Sequence, residues 1–331
     1  MTMPFSTHLF LLGKDYHLGD LLWFTAVLAE YRRQVQPEHV LVGCPDRPIS
    51  RILEHNPLID EILYGRGNSI RRTTQDRFGT KLVLHDLRIL PLAATMIRRW
   101  RHRLPWLYYR DLWLQERGQW LATFLGLSSL HQFRPVLRLV EEDRAAARAL
   151  SSWDRGGATP GTTPRGYPVW YQACSSTPAA GVSPPGIVLL APHTGQYTLP
   201  VMGAFWRKMK GWPPEHWVTL AHQLRKEGYE PVTLAAPGQT PVPGTRGVIG
   251  LPIRQVAGVI ERAAALITVE SGLWFIAAAL RTPFIIVPWW LPRSINWAAP
   301  MQVPHRLIYR DGDSVDEVLA QFRQLDVHET A

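Results

Sequence analysis

The sequence predicts an α/β protein made of two lobes in series, and three observations carry that prediction. Strand-like and helix-like segments alternate from His8 to about Gly126, the composition changes over Ser151–Gly186, and the alternation resumes at Ile187. Regular β-α-β-α alternation implies parallel sheets with helices on both faces. The 331 residues are enough for two domains of ordinary size.

In the first lobe, His8–Leu12 reads as a strand and Lys14–Asp20 as a loop. Leu21, Leu22, Phe24, Leu28 and Tyr31 recur at helical spacing, so Leu21–Arg33 is expected to be a helix. Val40–Gly43 is a strand, Ile49–Glu54 a short helix, Ile59–Leu63 and Lys81–His85 strands. Helices are expected over Leu90–Trp100 and Leu112–Leu125. Ser151–Gly186 is rich in Gly, Pro, Ser and Thr and reads as an interdomain linker. In the second lobe, strands are expected at Ile187–Leu190, Pro231–Leu234, Leu266–Val269, Phe284–Val287 and Arg306–Tyr309. Helices are expected at Glu215–Glu227, Ile253–Ala264, Leu273–Leu280 and Ser314–Gln324, the last capped by Asp313 or Ser314. Ligands of open α/β sheets sit at the carboxyl ends of the strands, so the expected site is the cleft between the lobes.

Composition narrows the function classes. The chain is 46% hydrophobic and 19% charged, which is globular rather than disordered. A net charge of +9 suggests an anionic partner: nucleic acid, a membrane surface or an acidic substrate. Nothing in the chain resembles a nucleic-acid-reading module, so no nucleic-acid partner is expected. The two cysteines, Cys44 and Cys174, stand in no paired motif, which fits a reducing, cytoplasmic setting. No His or Cys spacing suits a metal, and the N-terminal residues do not read as a signal peptide. No apolar run reaches the roughly 18 residues a membrane-spanning helix needs.

Four places carry chemistry. Ile267–Leu280 reads as a strand, a tight Glu270-Ser271-Gly272 turn and an apolar helix beginning at Leu273. Such a junction offers backbone N–H groups and the positive end of a helix dipole to a phosphate. Asp20 lies where the first loop meets the first helix; it is either a helix cap or an acid–base group, with Asp15 and His17 as rivals in the same loop. Lys210 precedes Trp212-Pro213-Pro214, where Pro suits a first helical turn, and is a candidate to reach a ligand. The turn Leu234–Gln239 has small residues that let a ligand approach the backbone.

Together these segments resemble glycosyltransferase family 9, the lipopolysaccharide heptosyltransferase family. Leu18-Gly19-Asp20-Leu21-Leu22 is similar to its Gly-Asp-(Val/Leu)-Leu turn, and Asn56–Glu61 to its Asn-Pro-x-(Ile/Val)-Asp-Glu segment. Lys210-x-Trp212-Pro213-Pro214-Glu215-x-Trp217 is similar to a Lys-x-Trp-Pro-x-Glu-x-Trp element, and Glu270-Ser271-Gly272-Leu273 to an Asp-(Ser/Thr)-Gly-Leu element. The chain departs from the family at Glu270 (Asp), Phe275 (His), Gln239 (Glu) and Pro192-His193-Thr194-Gly195 (Pro-Gly-Ala-Ser).

The resemblance implies a GT-B fold, two Rossmann-like lobes facing a cleft. Residues 1–150 would be the acceptor-binding domain, 151–186 the linker, 187–312 the nucleotide-sugar-binding domain, and 313–331 a C-terminal helix folding back on the first lobe. It implies an inverting, metal-independent sugar transfer from a nucleotide-sugar such as ADP-heptose to a lipopolysaccharide-core or other glycan acceptor, without a cofactor. Asp20 is then the base and Lys210 the cation at the leaving diphosphate. Thr194, Gln239, Glu270, Ser271, Gly272 and Leu273 are the donor-binding candidates. Arg98, Arg99, Arg101 and Arg103, interleaved with Trp and Tyr, suit an anionic acceptor or a membrane interface on the cytoplasmic face, or form a solvated helix face. The departures leave two alternatives open: a family member with a different donor or acceptor, or a binding protein that keeps the fold without transfer.

Overall fold

The computed structural model describes residues 6–14, 16–89, 125–127, 134–152, 170–172, 186–193, 210–289, 296 and 298–325. The helices expected at Leu90–Trp100 and from Leu112 to Phe124 lie outside these residues. The chain divides into two compact units, Met1–Arg138 with Ala299–Met301, and Leu139–Ala298 with Gln302–Ala331.

The first unit contains β1 (Thr7–Leu11), α1 (Leu18–Val35), β2 (His39–Cys44), β3 (Glu61–Tyr64), α2 (Gly67–Phe78) and β4 (Leu82–Asp86). Its sheet has the order β3-β2-β1-β4, all parallel. β1 is central and buried along its length, with Leu9-Phe10-Leu11 as its apolar part. Leu9, Leu11, Leu41 and Ile70 form the core on one face, with Leu63, Phe78, Leu82 and Leu84 packed around them. α1 buries almost every residue from Leu21 to Leu28 and ends on Gln36, whose left-handed φ of 52° lets its N–H reach the Arg32 carbonyl at 3.1 Å. α2 has only Ile70 and Thr74 buried, too sparse an apolar pattern to mark a helix in the sequence. The Asn56–Glu61 segment is structural. Asn56 Nδ2 donates to the Val136 carbonyl at 2.6 Å, and Asp60 accepts from the Val40 N–H at 2.7 Å while pairing with Arg32.

Three polar side chains meet inside this unit. The Tyr31 hydroxyl lies 2.6 Å from His8 Nδ1 and 2.9 Å from His85 Nε2, and the two histidine nitrogens are 3.1 Å apart. Two charged imidazoles would set N–H against N–H, so the arrangement opposes charging both. Burial lowers His8, and burial together with the charge of His8 lowers His85 to about 4. The unfolded chain binds these protons first, so the neutral pair stabilises fully above the ordinary histidine value, and its contribution is lost as pH falls from there toward about 4. Urea unfolding is expected to show about 2 kcal/mol less stability at pH 5 than at pH 7, with His85→Phe flattening that dependence.

The second unit contains α3 (Glu141–Ser152), β5 (Trp170–Gln172), β6 (Ile187–Ala191), α4 (Pro214–Lys226), β7 (Glu230–Ala235), β8 (Arg246–Ile249), α5 (Ile253–Glu261), β9 (Ala265–Thr268), α6 (Leu273–Leu280), β10 (Phe284–Trp289), β11 (His305–Tyr309) and α7 (Val315–Arg323). Its seven strands run in the order β11-β10-β9-β6-β7-β8-β5, parallel except for β5, which is antiparallel to β8. Counted from β6, the six parallel strands follow the Rossmann order 3-2-1-4-5-6, and the first unit shows the 3-2-1-4 part of it.

Two boundaries differ from the sequence expectation. α3, assigned by sequence to the first domain, belongs to the second unit: Asp143 on α3 and Arg254 on α5 form a buried pair there, and a Cβ on Gly258 would collide with the Asp143 carbonyl. α7, expected to fold back on the first lobe, packs within the second. Its Val318, Leu319 and Phe322 join Leu220, Leu224 and Ile308 in one core, and Phe322 meets Tyr229 edge-on at 5.0 Å. Ser314 caps α7 by accepting from the Glu317 N–H at 3.2 Å.

Candidate functional site

In the second sheet the connections from β6 run outward to β7 and β8, and those from β9 run the other way, so the switch point lies between β6 and β9. Open α/β sheets bind ligands at the carboxyl ends of the strands at such a point. Here that edge is formed by Pro192-His193 after β6, Ala236–Gln239 after β7 and Val269–Gly272 after β9. The Val269 N–H donates to the Ala191 carbonyl at 3.2 Å, which joins the ends of β6 and β9.

The turn after β9 is held by its own side chains. Thr268 Oγ1 lies 3.2 Å from Ser271 Oγ, and Ser271 Oγ accepts from the Leu273 N–H at 3.3 Å. Of the N–H groups assigned by sequence to a diphosphate, those of Ser271, Gly272 and Leu273, that of Leu273 is therefore engaged within the turn. Phe275, where the resembled family has His, is buried and stacked on Trp274 at 3.8 Å, so this departure is absorbed by packing. Trp289 is likewise buried and holds the end of β10 rather than standing open to a ligand.

Glu270 and Lys210 form an ion pair, with side chains only 13% and 14% exposed. The pair sits two residues before the helix cap Gly272. A cation and a helix N-terminus are both electropositive, and the Glu270 carboxylate compensates them. After β7, Pro237 and Gly238 form a type II turn, with Gly238 at φ 82° and the Gln239 N–H donating to the Ala236 carbonyl at 3.0 Å. Gln239 Oε1 accepts from the Ala236 N–H at 2.8 Å, so this side chain braces the turn. Space for a Cβ at Gly238 is open. The His193 ring Nε2 meets the Thr240 carbonyl at 2.9 Å and ties the ends of β6 and β7. Thr194 lies outside the described residues, as do Arg98, Arg99, Arg101 and Arg103.

In the first unit the corresponding switch point lies between β1 and β4. Asp20 stands at the third position of α1, and its Oδ2 accepts from the His17 N–H at 2.9 Å. It is thus not the N-cap residue, which is His17, but the reciprocal member of the capping box. Asp86, at the end of β4, grips Arg88 through both oxygens, which holds the Asp86 carboxyl below the usual carboxylate range. The sequence reading missed Asp86, Arg88 and His193. The only signal for them was their position directly at or after a strand end. Among the described residues, no group of three or more His, Cys, Asp or Glu is placed to hold a metal ion, and no helix is long and apolar enough to cross a membrane.

Two α/β units of Rossmann order, with a phosphate-suited turn at the switch point of the second, suit a ligand that carries phosphate. Residues 190–287, within the second unit, match the model of glycosyltransferase family 9 (heptosyltransferase), which supports a glycosyltransferase. The fold is shared with a glycosyl transferase of family 9 from Veillonella parvula, at 17% identity and a TM-score of 0.60 over 98% of this chain and 91% of that one. It is also shared with the E. coli ADP-heptose lps heptosyltransferase II, at 16% identity and 0.57 over 98% and 100%. The E. coli heptosyltransferase WaaC with ADP-2-deoxy-2-fluoro heptose matches at 15% and 0.53 over 96% and 99%. A comparison with curated protein sequences gives no match.

Proposed function

We propose that this chain is an inverting, metal-independent glycosyltransferase. It moves heptose or a similar sugar from a nucleotide-sugar to a lipopolysaccharide-core or other glycan acceptor, at the cytoplasmic face of a membrane. The observation that carries the reading is the Lys210–Glu270 pair beside the N-terminus of α6 at the switch point of the family 9 domain. A solved relative of the same fold is described with an ADP-heptose analogue, which supports a nucleotide-sugar donor.

In this mechanism the second unit holds the donor. Lys210 and the first N–H groups of α6 receive the negative charge that builds on the diphosphate as the sugar–oxygen bond breaks. Preorganised donors aimed at developing charge contribute about 3–4 kcal/mol each to such a step. In the first unit, Asp20 takes the proton from the acceptor hydroxyl as its oxygen attacks the anomeric carbon from the face opposite the leaving group. Inversion follows from that single in-line displacement.

Thermal shift and calorimetry against ADP, GDP, UDP and their sugars test the donor site. One nucleotide is expected to stabilise the protein by about 3 kcal/mol at a hundredfold excess over its Kd. Lys210→Met is expected to weaken diphosphate binding about tenfold or more and to slow transfer about a hundredfold. If no nucleotide binds, the donor-site reading fails. If a nucleotide binds but no sugar panel supports transfer, the chain is a binding protein of this fold.

A further inference from the structure

Arg88 is held more completely than any role in folding requires. Its Nε donates to Asp86 Oδ1 at 2.8 Å, its Nη2 to Asp86 Oδ2 at 2.5 Å and its Nη1 to Asn68 Oδ1 at 2.9 Å. A Cβ on Gly67 would collide with Nη1, so the glycine makes room for the guanidinium. A guanidinium has five N–H groups. Three are used, and the other two, one on each terminal nitrogen, have no acceptor among the described residues. The side chain is 28% exposed, so a ligand can reach it.

The position is as specific as the geometry. Arg88 follows β4 at the switch point of the first sheet, and its Cα lies 3.5 Å from where a Cβ on Gly13 would stand, in the loop that leads to Asp20. Tyr16, in the same loop, donates its hydroxyl to the Leu87 carbonyl at 3.2 Å. The charge of Arg71 also acts on Asp86 and adds to the positive side of this locality.

We infer that Arg88, fixed by Asp86 and Asn68, recognises an oxyanion, a carboxylate or a phosphate, on the acceptor that Asp20 deprotonates. A locked planar fork suits such a group because its two N–H bonds form without further loss of side-chain freedom. Asp86 and Asn68 are positioning residues, since they act through Arg88. The inference rests on the transferase reading for its acceptor, and its test is independent of nucleotide binding.

The test follows the arginine Nε–H signals of the 15N-labelled full chain, with the Arg88 signal assigned by its loss in Arg88→Lys. Methyl phosphate and methyl glucuronide are titrated, and methyl glucoside serves as the neutral control. The Arg88 signal is expected to move with at least one anion and not with methyl glucoside; which anion moves it identifies phosphate or carboxylate. Arg88→Lys keeps the charge but loses the fork, and is expected to weaken that binding about tenfold or more. Asn68→Ala, at an exposed helix start, is expected to weaken it severalfold with the fold intact. In transfer assays Arg88→Lys raises the acceptor KM and leaves nucleotide affinity unchanged, a split that a merely structural role would not produce. No movement with either anion, or binding by Arg88→Lys within twofold of the natural chain, overturns the inference. Failure of the natural chain to bind any nucleotide counts instead against the transferase reading, and the anion titration still decides Arg88.

Discussion

Replacing Asp20 with alanine is expected to abolish sugar transfer while nucleotide binding, measured in the same preparation, stays unchanged. The expected loss in rate is about a hundred- to ten-thousandfold, the range that a positioned general base contributes. The structure gives Asp20 a capping contact as well. Asp20 accepts from the His17 N–H at 2.9 Å, so alanine also removes part of the start of α1. A rate lost through a frayed helix would imitate a rate lost through a missing base.

Asp20→Asn separates the two. The amide oxygen can still accept from His17, so the helix start keeps its bond, but an amide cannot take a proton from a hydroxyl. Asparagine is therefore expected to be as inactive as alanine and to unfold at the temperature of the natural chain. Alanine is expected to be less stable by about 1 kcal/mol, a usual value for a lost cap. Full turnover in Asp20→Asn removes Asp20 from the chemistry. The rivals in the loop, Asp15 and His17, would then be replaced one at a time. His17 is exposed and is the N-cap of α1, and Asp15 lies outside the described residues.

What the sequence revealed, and what it did not, follows from the range of each signal. α6 was legible to the residue, Leu273–Leu280, because Ser271-Gly272 precedes an unbroken apolar run. The cap of α7 was legible to within two residues, Asp313 or Ser314, because capping is local chemistry, and the structure selects Ser314. α2 was not, because one turn of Ile70 and Thr74 is all it buries, and β8 was not, because Arg246–Ile249 is four residues with a glycine among them. The turn after β9 could be recognised as a phosphate-suited junction, but its place at the switch point depends on strand order, which no local pattern encodes. The Lys210–Glu270 pair joins residues far apart in sequence. Reading Glu270 as a donor contact was thus incomplete: its carboxylate also answers the charge of Lys210. Asp86 and Arg88 stand in no motif, and only the fold brings Asn68 and Gly13 to them. α3 was assigned to the wrong side of the chain's division because its partner, α5, is more than a hundred residues away.

That partnership carries the largest expected effect on stability. Asp143 receives two hydrogen bonds from Arg254, with both side chains under a tenth exposed, and it also accepts from the Val140 N–H at 2.8 Å at the start of α3. Removing the carboxylate takes the Asp143 charge away from a buried guanidinium. Asp143→Ala is expected to cost about 3–5 kcal/mol, whereas most single substitutions cost about 1 kcal/mol. For a unit of this size that corresponds to a fall in melting temperature on the order of 10 °C. A pair of apolar residues of similar volume removes both charges together, so Asp143→Leu with Arg254→Met is expected to recover much of the loss. A double-mutant cycle read by thermal unfolding gives the coupling directly. If Asp143→Ala melts with the natural chain, the pair is not an anchor, and the close approach of α3 to α5 at Gly258 must be held by apolar contact alone. The effect should also reach the site. α5 leads into β9, whose end carries Glu270 and the turn proposed for the diphosphate. A loosened α5 is therefore expected to weaken nucleotide binding at temperatures well below the melt, and the Leu–Met pair to restore it in parallel with stability.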